Sequence, residues 1–165
     1  MRFLTALRRL LPARRTPAAP TRAGSAGSAM STDATVEVDP RRLGRVRLSY
    51  APQRDSEPDP GEIVWTWVPF EENDGRGKDR PVVVVAAGAD GSHLAVRLTS
   101  HPRAGDPDYL SIGRGDWDSQ GRESWVDLGR VFRVSAGGVR REASALDSAR
   151  YTRVAAALSK RYGWR

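Results

Sequence analysis

The sequence contains no cysteine and only two histidines among its 165 residues. The absence of cysteine excludes disulfide frameworks, thiolate nucleophiles and zinc–cysteine centres. Because His93 and His101 are too few for a histidine-rich metal site, we expect neither a metal nor another cofactor. The longest apolar run, residues 82–87, is far shorter than the ~18 residues that a transmembrane helix needs. These absences predict a soluble, cytoplasmic protein without a transmembrane segment.

Positive charge is concentrated at the N-terminus. Residues 1–30 carry six arginines and no acidic residue, whereas the rest of the chain has 21 basic and 20 acidic residues. The net charge of +7 therefore describes a tail rather than a broad basic surface. Residues 3–11 have an amphipathic, basic helical pattern, which fits a membrane surface, a partner groove or a tail with little fixed structure. Residues 12–31 have the composition of a linker.

From residue 45 onward the sequence shows short β patterns. Val46, Leu48 and Tyr50 alternate with polar residues, as in a half-buried strand. Clusters of Gly, Asp, Asn and Pro separate the later segments, and no helix is interleaved with them, which predicts a small antiparallel barrel. Gly129 marks a bend or bulge between the last two segments. The predicted strands beyond residue 60 are residues 62–68, 81–87, 93–99, 109–112, 123–128 and 130–134.

One helix is predicted at the C-terminal end of the sequence. Asp147 is its predicted N-cap, with Ser144 as the alternative, and Gly163 can end it. We therefore divide the chain into a tail at residues 1–44 and a domain at residues 45–165. The domain is predicted to be mainly β, with a barrel followed by the helix. Four apolar residues recur at helical spacing: Tyr151, Val154, Leu158 and Tyr162.

Arg80 is the first candidate for contact with a phosphate. It precedes Pro81 and an almost continuously apolar strand, so we expect it at the barrel rim behind a glycine-containing loop. A guanidinium group there could bind two phosphate oxygens at once. The alternative is an ion pair with a loop acid, Glu71, Glu72 or Asp79.

The next predicted strand ends in Thr99, Ser100 and His101. Two hydroxyls and an imidazole could hold a phosphate or donate a proton near neutral pH, or could simply form a turn. Among the tryptophans, Trp65 and Trp67 are expected in the core. Trp117 lies between two acids in a glycine-rich loop and is the aromatic that we expect to be exposed, where it could stack on bases.

These segments together resemble the MazF/PemK toxin superfamily. Its members open with Gly-Asp/Glu-Ile/Val-Val-Trp, continue through a Gly-containing loop to Arg-Pro-Val-Leu-Val, and carry a Thr-Ser/Thr/Ala step at the end of the next strand. The resemblance extends over roughly residues 60–161. The matching segments are residues 60–65, Gly77, residues 80–85, residues 98–100, residues 124–128 and residues 130–134.

The resemblance implies an SH3-like barrel, usually a homodimer, that cleaves single-stranded RNA without a metal. In the family the 2′-hydroxyl of the RNA attacks the adjacent phosphorus and leaves a cyclic phosphate and a free 5′-hydroxyl. By position, Arg80 would stabilise the phosphate charge and Thr99 would hold a non-bridging oxygen, with Ser100 as a second donor. Further RNA contacts are predicted at His101, Gly77, Lys78 and Arg130.

Two departures from the family pattern concern catalytic acids. Where members have a Glu five residues before the arginine, this chain has Gly75, and a one-residue insertion would place Asp74 there as the catalytic base. The Arg and Asp of the late strand in PemK-type members correspond to Asp127 and Gly129, so that second set is not expected here. Arg130, where many members have Gln, binds phosphate or faces solvent.

The resemblance also implies partners. We expect a cognate antitoxin that occupies the RNA groove, and operator DNA as a ligand of the toxin–antitoxin complex. Two alternatives remain open. One is a catalytically weak module that binds RNA or operator DNA, and the other is an interaction protein tethered through residues 1–15.

Overall fold

The computed structural model describes residues 34–165, with the exception of residues 54, 56, 73 and 89. The amphipathic segment predicted at residues 3–11, the tether at residues 1–15 and the linker at residues 12–31 lie outside the described residues. The described chain forms seven strands, two 3₁₀ turns (Pro40–Arg42 and Ala136–Gly138) and the helix α1 (Ser148–Tyr162). The strands are β1 (Val36–Val38), β2 (Glu62–Pro69), β3 (Gly77–Ala87), β4 (His93–Thr99), β5 (Tyr109–Gly113), β6 (Ser124–Val134) and β7 (Val139–Ala145).

The strands form one antiparallel sheet in the order β1-β6-β4-β3-β2-β7, and β5 also pairs with β6. The sheet curls on itself, since the segment before β1 returns to β2, where the hydroxyls of Thr35 and Thr66 lie 2.5 Å apart. The prediction of a mainly β, SH3-like barrel with a C-terminal helix is therefore confirmed. The described part contains no helix long and apolar enough to cross a membrane.

The sheet buries side chains on both faces. Val82, Val84 and Phe132 belong to a small cluster within the curl, whereas Val83 and Val85 belong to a larger cluster that also includes the helix residues Tyr151 and Val154. Strands buried on both faces read as continuous apolar runs, which is why residues 82–87 lack polar residues. Residues 82–86 of β3 and 94–99 of β4 are consequently fixed by packing.

The predicted helix limits are confirmed. The carboxylate of Asp147 accepts the backbone N–H of Arg150 at 2.9 Å, so Asp147 is the N-cap. Gly163 ends the helix in the left-handed region, with φ of 75°. The helix therefore begins and ends at the residues that its sequence signals indicated.

Residues 46–50 do not form the predicted strand. Their alternating burial is retained at Val46, which is buried, but their backbone pairs with the C-terminal end of the chain. Leu48 donates its N–H to the carbonyl of Arg165 at 2.5 Å, and Arg165 donates to Val46 at 3.0 Å. Of the three alternating residues, Val46 is buried, Leu48 is partly buried and Tyr50 is 40% exposed.

The sheet also begins before residue 45, where the sequence analysis placed the start of the domain. Val36–Val38 pair with residues 131–133 of β6, so part of the predicted tail belongs to the sheet. The strand β7 was not predicted either, because its residues Val-Arg-Arg-Glu-Ala-Ser-Ala lack a clear alternation. Both strands lie at the ends of the sheet order, where one side of the strand needs no ladder partner.

The predicted bulge at Gly129 is confirmed within a continuous β6. Val96 of β4 pairs with Val131 and Leu98 pairs with Val126, so residues 127–130 of β6 are opposite Arg97 alone. A bulge of this kind redirects side chains locally while the pairing on either side continues. It therefore creates room for several charged residues around Arg97.

Candidate active site

An open cleft of about 770 Å³ lies beside the ends of β3 and β4. The segment that includes residues 116–120 forms its opposite wall. The cleft mixes cationic, acidic and hydroxyl groups, which suits a polar ligand with charged oxygens. Its polar lining residues include Lys78, Asp79, Arg80, Thr99, Ser100, His101, Asp116, Asp118, Ser119, Gln120, Arg122 and Ser124. Among the described residues, no three His, Asp or Glu side chains are grouped to hold a metal ion.

Arg80 and Thr99 line this cleft from adjacent strands. The β3–β4 ladder ends where Val82 pairs with Arg97, two residues from Arg80 along β3 and two residues from Thr99 along β4. Arg80 itself pairs with Thr66 of β2. Arg80 and Thr99 thus lie on neighbouring strands beside the end of one ladder.

Arg80 is half-buried in a cationic neighbourhood. Burial lowers the pKa of Arg80, the nearby guanidinium groups of Arg97 and Arg130 lower it further, and Glu71 acts in the opposite direction. An arginine remains charged at neutral pH despite such a shift. The positive charges therefore favour an anion beside Arg80.

Thr99 is 8% exposed, and its hydroxyl can both accept and donate a hydrogen bond. The oxygen accepts the backbone N–H of His101 at 3.2 Å, so its own proton can be donated to a ligand. Ser100 and the exposed His101 border the same cleft, as does the exposed Lys78. Five of the predicted site residues therefore line the same cleft.

Three predicted site residues lie elsewhere, since the described lining of the cleft does not include them. Asp74 is exposed and forms an ion pair with Arg76 at 2.6 Å. Gly77 packs against Trp67, and a Cβ atom there would lie 2.5 Å from the ring. Arg130 donates to both carboxylate oxygens of Glu37, so it does not face solvent freely; its side chain is 11% exposed.

The expectation that Trp117 is exposed is wrong. Trp117 is 6% exposed, and its indole N–H donates to the hydroxyl of Ser124 at 3.0 Å. The ring lies against Gly115, where a Cβ atom would be only 2.0 Å from it. Gly115 of this glycine-rich loop leaves the space that the ring fills. Trp65, expected in the core, is half-buried and lines the cleft.

The sequence analysis did not identify Arg97 as part of the site. Arg97 lies in β4 and is 8% exposed, and its Nη2 atom is 2.6 Å from Oδ2 of the buried Asp127. Together with Arg80 it lines a second pocket of about 370 Å³, whose other lining residues are Phe70, Glu71, Glu72 and Arg76. The available signal was a single charge in the otherwise apolar run of residues 94–98.

Comparison with known proteins identifies the family. Residues 59–161 match the family described as PemK-like, MazF-like toxins of type II toxin–antitoxin systems. The chain belongs to this toxin family. The match covers more than half of the chain and confirms the resemblance and the toxin function predicted from residues 60–161. No curated protein is significantly similar to the chain in sequence.

Solved structures of PemK/MazF-like toxins share the fold. An endoribonuclease from a mycobacterial species superposes with a TM-score of 0.50 and 16% identity, over 68% of this chain and 97% of that protein. MazF from Deinococcus radiodurans superposes with a TM-score of 0.50 and 22% identity, over 66% of this chain and 99% of that protein. Nearly the whole of each structure thus corresponds to about two thirds of the present toxin.

Proposed function

We propose that this PemK/MazF-like toxin is an endoribonuclease that cleaves single-stranded RNA without a metal, in the cleft beside β3 and β4. The observation that carries the proposal is that Arg80 and Thr99, from neighbouring strands, line one polar cleft. The first group is a permanent cation and the second a donor hydroxyl. Both bind phosphate oxygens well.

The reaction is an internal transesterification. The 2′-oxygen of the RNA loses its proton and attacks the adjacent phosphorus, and the bond from phosphorus to the 5′-oxygen breaks. The products are a 2′,3′-cyclic phosphate and a 5′-hydroxyl, because the leaving oxygen takes up a proton. Negative charge grows on the non-bridging oxygens during this step, so donors fixed beside them accelerate it.

The cleft residues divide this work. The Arg80 guanidinium neutralises the growing charge, and the hydroxyl of Thr99 donates to a non-bridging oxygen. Ser100 can supply a second donor from the same strand end, and Lys78 can attract the RNA backbone. Imidazole is the side chain best suited to accept and return a proton near neutral pH, and His101 supplies one at the cleft.

Family membership supports further proposals about partners. A toxin of a type II system has a cognate antitoxin, and we expect this one to cover the cleft and block access of RNA. We also expect a homodimer, operator DNA as a ligand of the toxin–antitoxin complex, and a cytoplasmic location where messenger RNA is available.

The test is cleavage of a single-stranded RNA by the purified full chain in EDTA. We expect fragments with cyclic phosphate and 5′-hydroxyl ends, and a rate that falls by about 10² to 10³ in Arg80→Ala, as for loss of one transition-state donor. Arg153→Ala, which changes an exposed helix arginine, is the matched control and should cleave normally. Thermal melting establishes that both variants fold. RNA binding without fragments in the wild type would instead identify a nucleic-acid-binding module.

A further inference from the structure

The pocket of about 370 Å³ shares Arg80 with the cleft. Arg97 also lines it, at the bulge where four residues of β6 lie opposite Arg97. The other lining residues are Phe70, Glu71, Glu72 and Arg76, from the segment between β2 and β3. Arg80 therefore faces two adjoining cavities, and the smaller cavity has two further cations, Arg76 and Arg97.

Arg97 retains unused hydrogen-bonding capacity. Its Nη2 atom donates to Asp127, but its buried Nε atom makes no hydrogen bond to any described residue. Nη1 of Arg130 is in the same situation within the described part of the chain. Buried donors without partners are uncommon in proteins, and these two could donate to an added acceptor oxygen.

Glu71 balances the charge of these arginines without satisfying their donors. Its Oε1 atom lies 3.7 Å from Nη2 of Arg97 and 3.7 Å from Nη1 of Arg130, beyond hydrogen-bond distance. The Glu71 side chain is 70% exposed, whereas that of Arg97 is 10% exposed. A highly exposed carboxylate thus lies 3.7 Å from a buried guanidinium without a hydrogen bond to it.

Charge favours replacement of this carboxylate by a ligand. Asp127 and Glu37 each form a close ion pair with one arginine, those of Arg97 and Arg130. Arg80 has no such close partner among the described residues, and its pKa is lowered first by burial and then by the two neighbouring cations. Moving Glu71 away would leave the cluster with one unbalanced positive charge.

We propose that this pocket binds a second phosphate of the RNA, next to the scissile one, through Arg80 and Arg97 in exchange for the carboxylate of Glu71. The inference rests on the proposed function and extends it. Glu71 holds the place of the phosphate in the free toxin and moves outward with its loop when RNA binds. Arg97 is therefore a residue that recognises the RNA backbone, and Asp127 is the residue that positions it.

Binding of a 2′-O-methyl RNA hexamer, which cannot be cleaved, tests the exchange. Neutralising the competing carboxylate in Glu71→Gln should tighten binding about threefold to tenfold. Glu57→Gln removes the same charge from an exposed residue outside the described lining of both cavities, so it should tighten binding by less than about twofold. Equal gains in the two variants would overturn the exchange, since only general repulsion would then be at work.

The salt dependence of binding tests the second phosphate contact. The double variant R97Q/D127N removes the guanidinium without leaving a buried charge, and should reduce the slope of log Kd against log salt by about 0.7. R161Q/D108N is the matched control, because it replaces another Arg–Asp pair at 2.6 Å that lies outside both cavities. Its slope should equal that of the wild type. Thermal melting establishes whether both double variants fold. If R97Q/D127N does not fold, the affinity of Glu71→Gln for the hexamer tests the second phosphate site.

The outcomes separate the two proposals. If the wild type cleaves RNA but the slope in R97Q/D127N is unchanged, the second phosphate site is wrong and the endoribonuclease remains. If the wild type neither binds nor cleaves RNA, both are wrong. Tighter binding in Glu71→Gln together with a smaller slope in R97Q/D127N supports the pocket.

Discussion

The carboxylate of Asp127 lies 2.6 Å from Nη2 of Arg97, and the two side chains are 5% and 10% exposed. This ion pair joins β4 to the bulged part of β6, directly beside the pocket that Arg97 shares with Arg80. It therefore connects the stability of the sheet to the position of a cation in the candidate site.

We predict that breaking this pair by a single substitution is strongly destabilising. Arg97→Met or Asp127→Leu leaves one buried charge without its partner, which costs about 3–5 kcal/mol in the free energy of unfolding. The double variant R97M/D127L removes both charges and should recover most of the loss. Urea unfolding of the three proteins measures this, and single variants within about 1 kcal/mol of the wild type would contradict a fully buried pair.

The hydroxyl of Thr99 should matter for cleavage more than for binding. Thr99→Val keeps the shape of the side chain but removes the donor, so we expect the single-turnover cleavage rate to fall by about 10². Affinity for the 2′-O-methyl hexamer should change by less than about threefold, because the donor acts mainly in the transition state. Thr99→Ser, which keeps the hydroxyl, is the control. Equal rates in all three proteins would remove Thr99 from the mechanism.

Gly77 was predicted to contact RNA, but its packing against Trp67 indicates a role in stability. In Gly77→Ala the new methyl group would meet the Trp67 ring and the carbonyl of Val68, each at 2.5 Å. We expect a loss of about 1–3 kcal/mol in stability from this overpacking. The melting temperature checks the stability, and the affinity for the hexamer checks the RNA contact. A stable variant with weak RNA binding would favour the contact over the packing role.

Stability at alkaline pH should depend on Tyr151. Burial raises the pKa of its phenol from 10.0 to about 12, and its hydroxyl donates to the carbonyl of Val85 at 2.7 Å. Since the unfolded chain loses this proton first, the stability contributed by the neutral phenol is fully present below pH 10 and declines from there towards pH 12. Tyr151→Phe should be less stable by about 1 kcal/mol at pH 7 and should lose less stability on going to pH 11. Parallel unfolding curves at both pH values would show that Tyr151 does not titrate in this way.

The sequence predicted the parts of the fold that have strong local signals. The helix was bounded correctly because Asp147 and Gly163 satisfy its terminal groups, and β4 was bounded correctly because apolar residues fill it. The strand β7 was missed because a polar edge strand carries no such pattern. Residues 46–50 were misassigned because alternation reports burial, and here the backbone partner is Arg165.

The sequence predicted only those site residues that belong to a short local motif. Thr99 ends β4 and Arg80 is the fourth residue of β3, and each lies beside a recognisable motif, so their positions on consecutive strands already indicated proximity. The pocket formed by Arg97 depends on a bulge that changes which residues of β6 face it, and a bulge sets contacts between residues about 30 positions apart. The predicted exposure of Trp117 was wrong for a related reason, because the environment of its ring depends on the space beside Gly115.

The bulge in β6 also bears on how such a site can change during evolution. Val96 and Leu98 keep their partners on either side of it, so residues 127–130 contribute little to the ladder that aligns β4 with β6. Substitutions at Gly129 or Arg130 would alter the charges around Arg97 without breaking this ladder, whereas Asp127 pairs with Arg97 and Leu128 belongs to the larger hydrophobic cluster. The barrel can thus acquire a new preference for its ligand without the chain having to find a new fold.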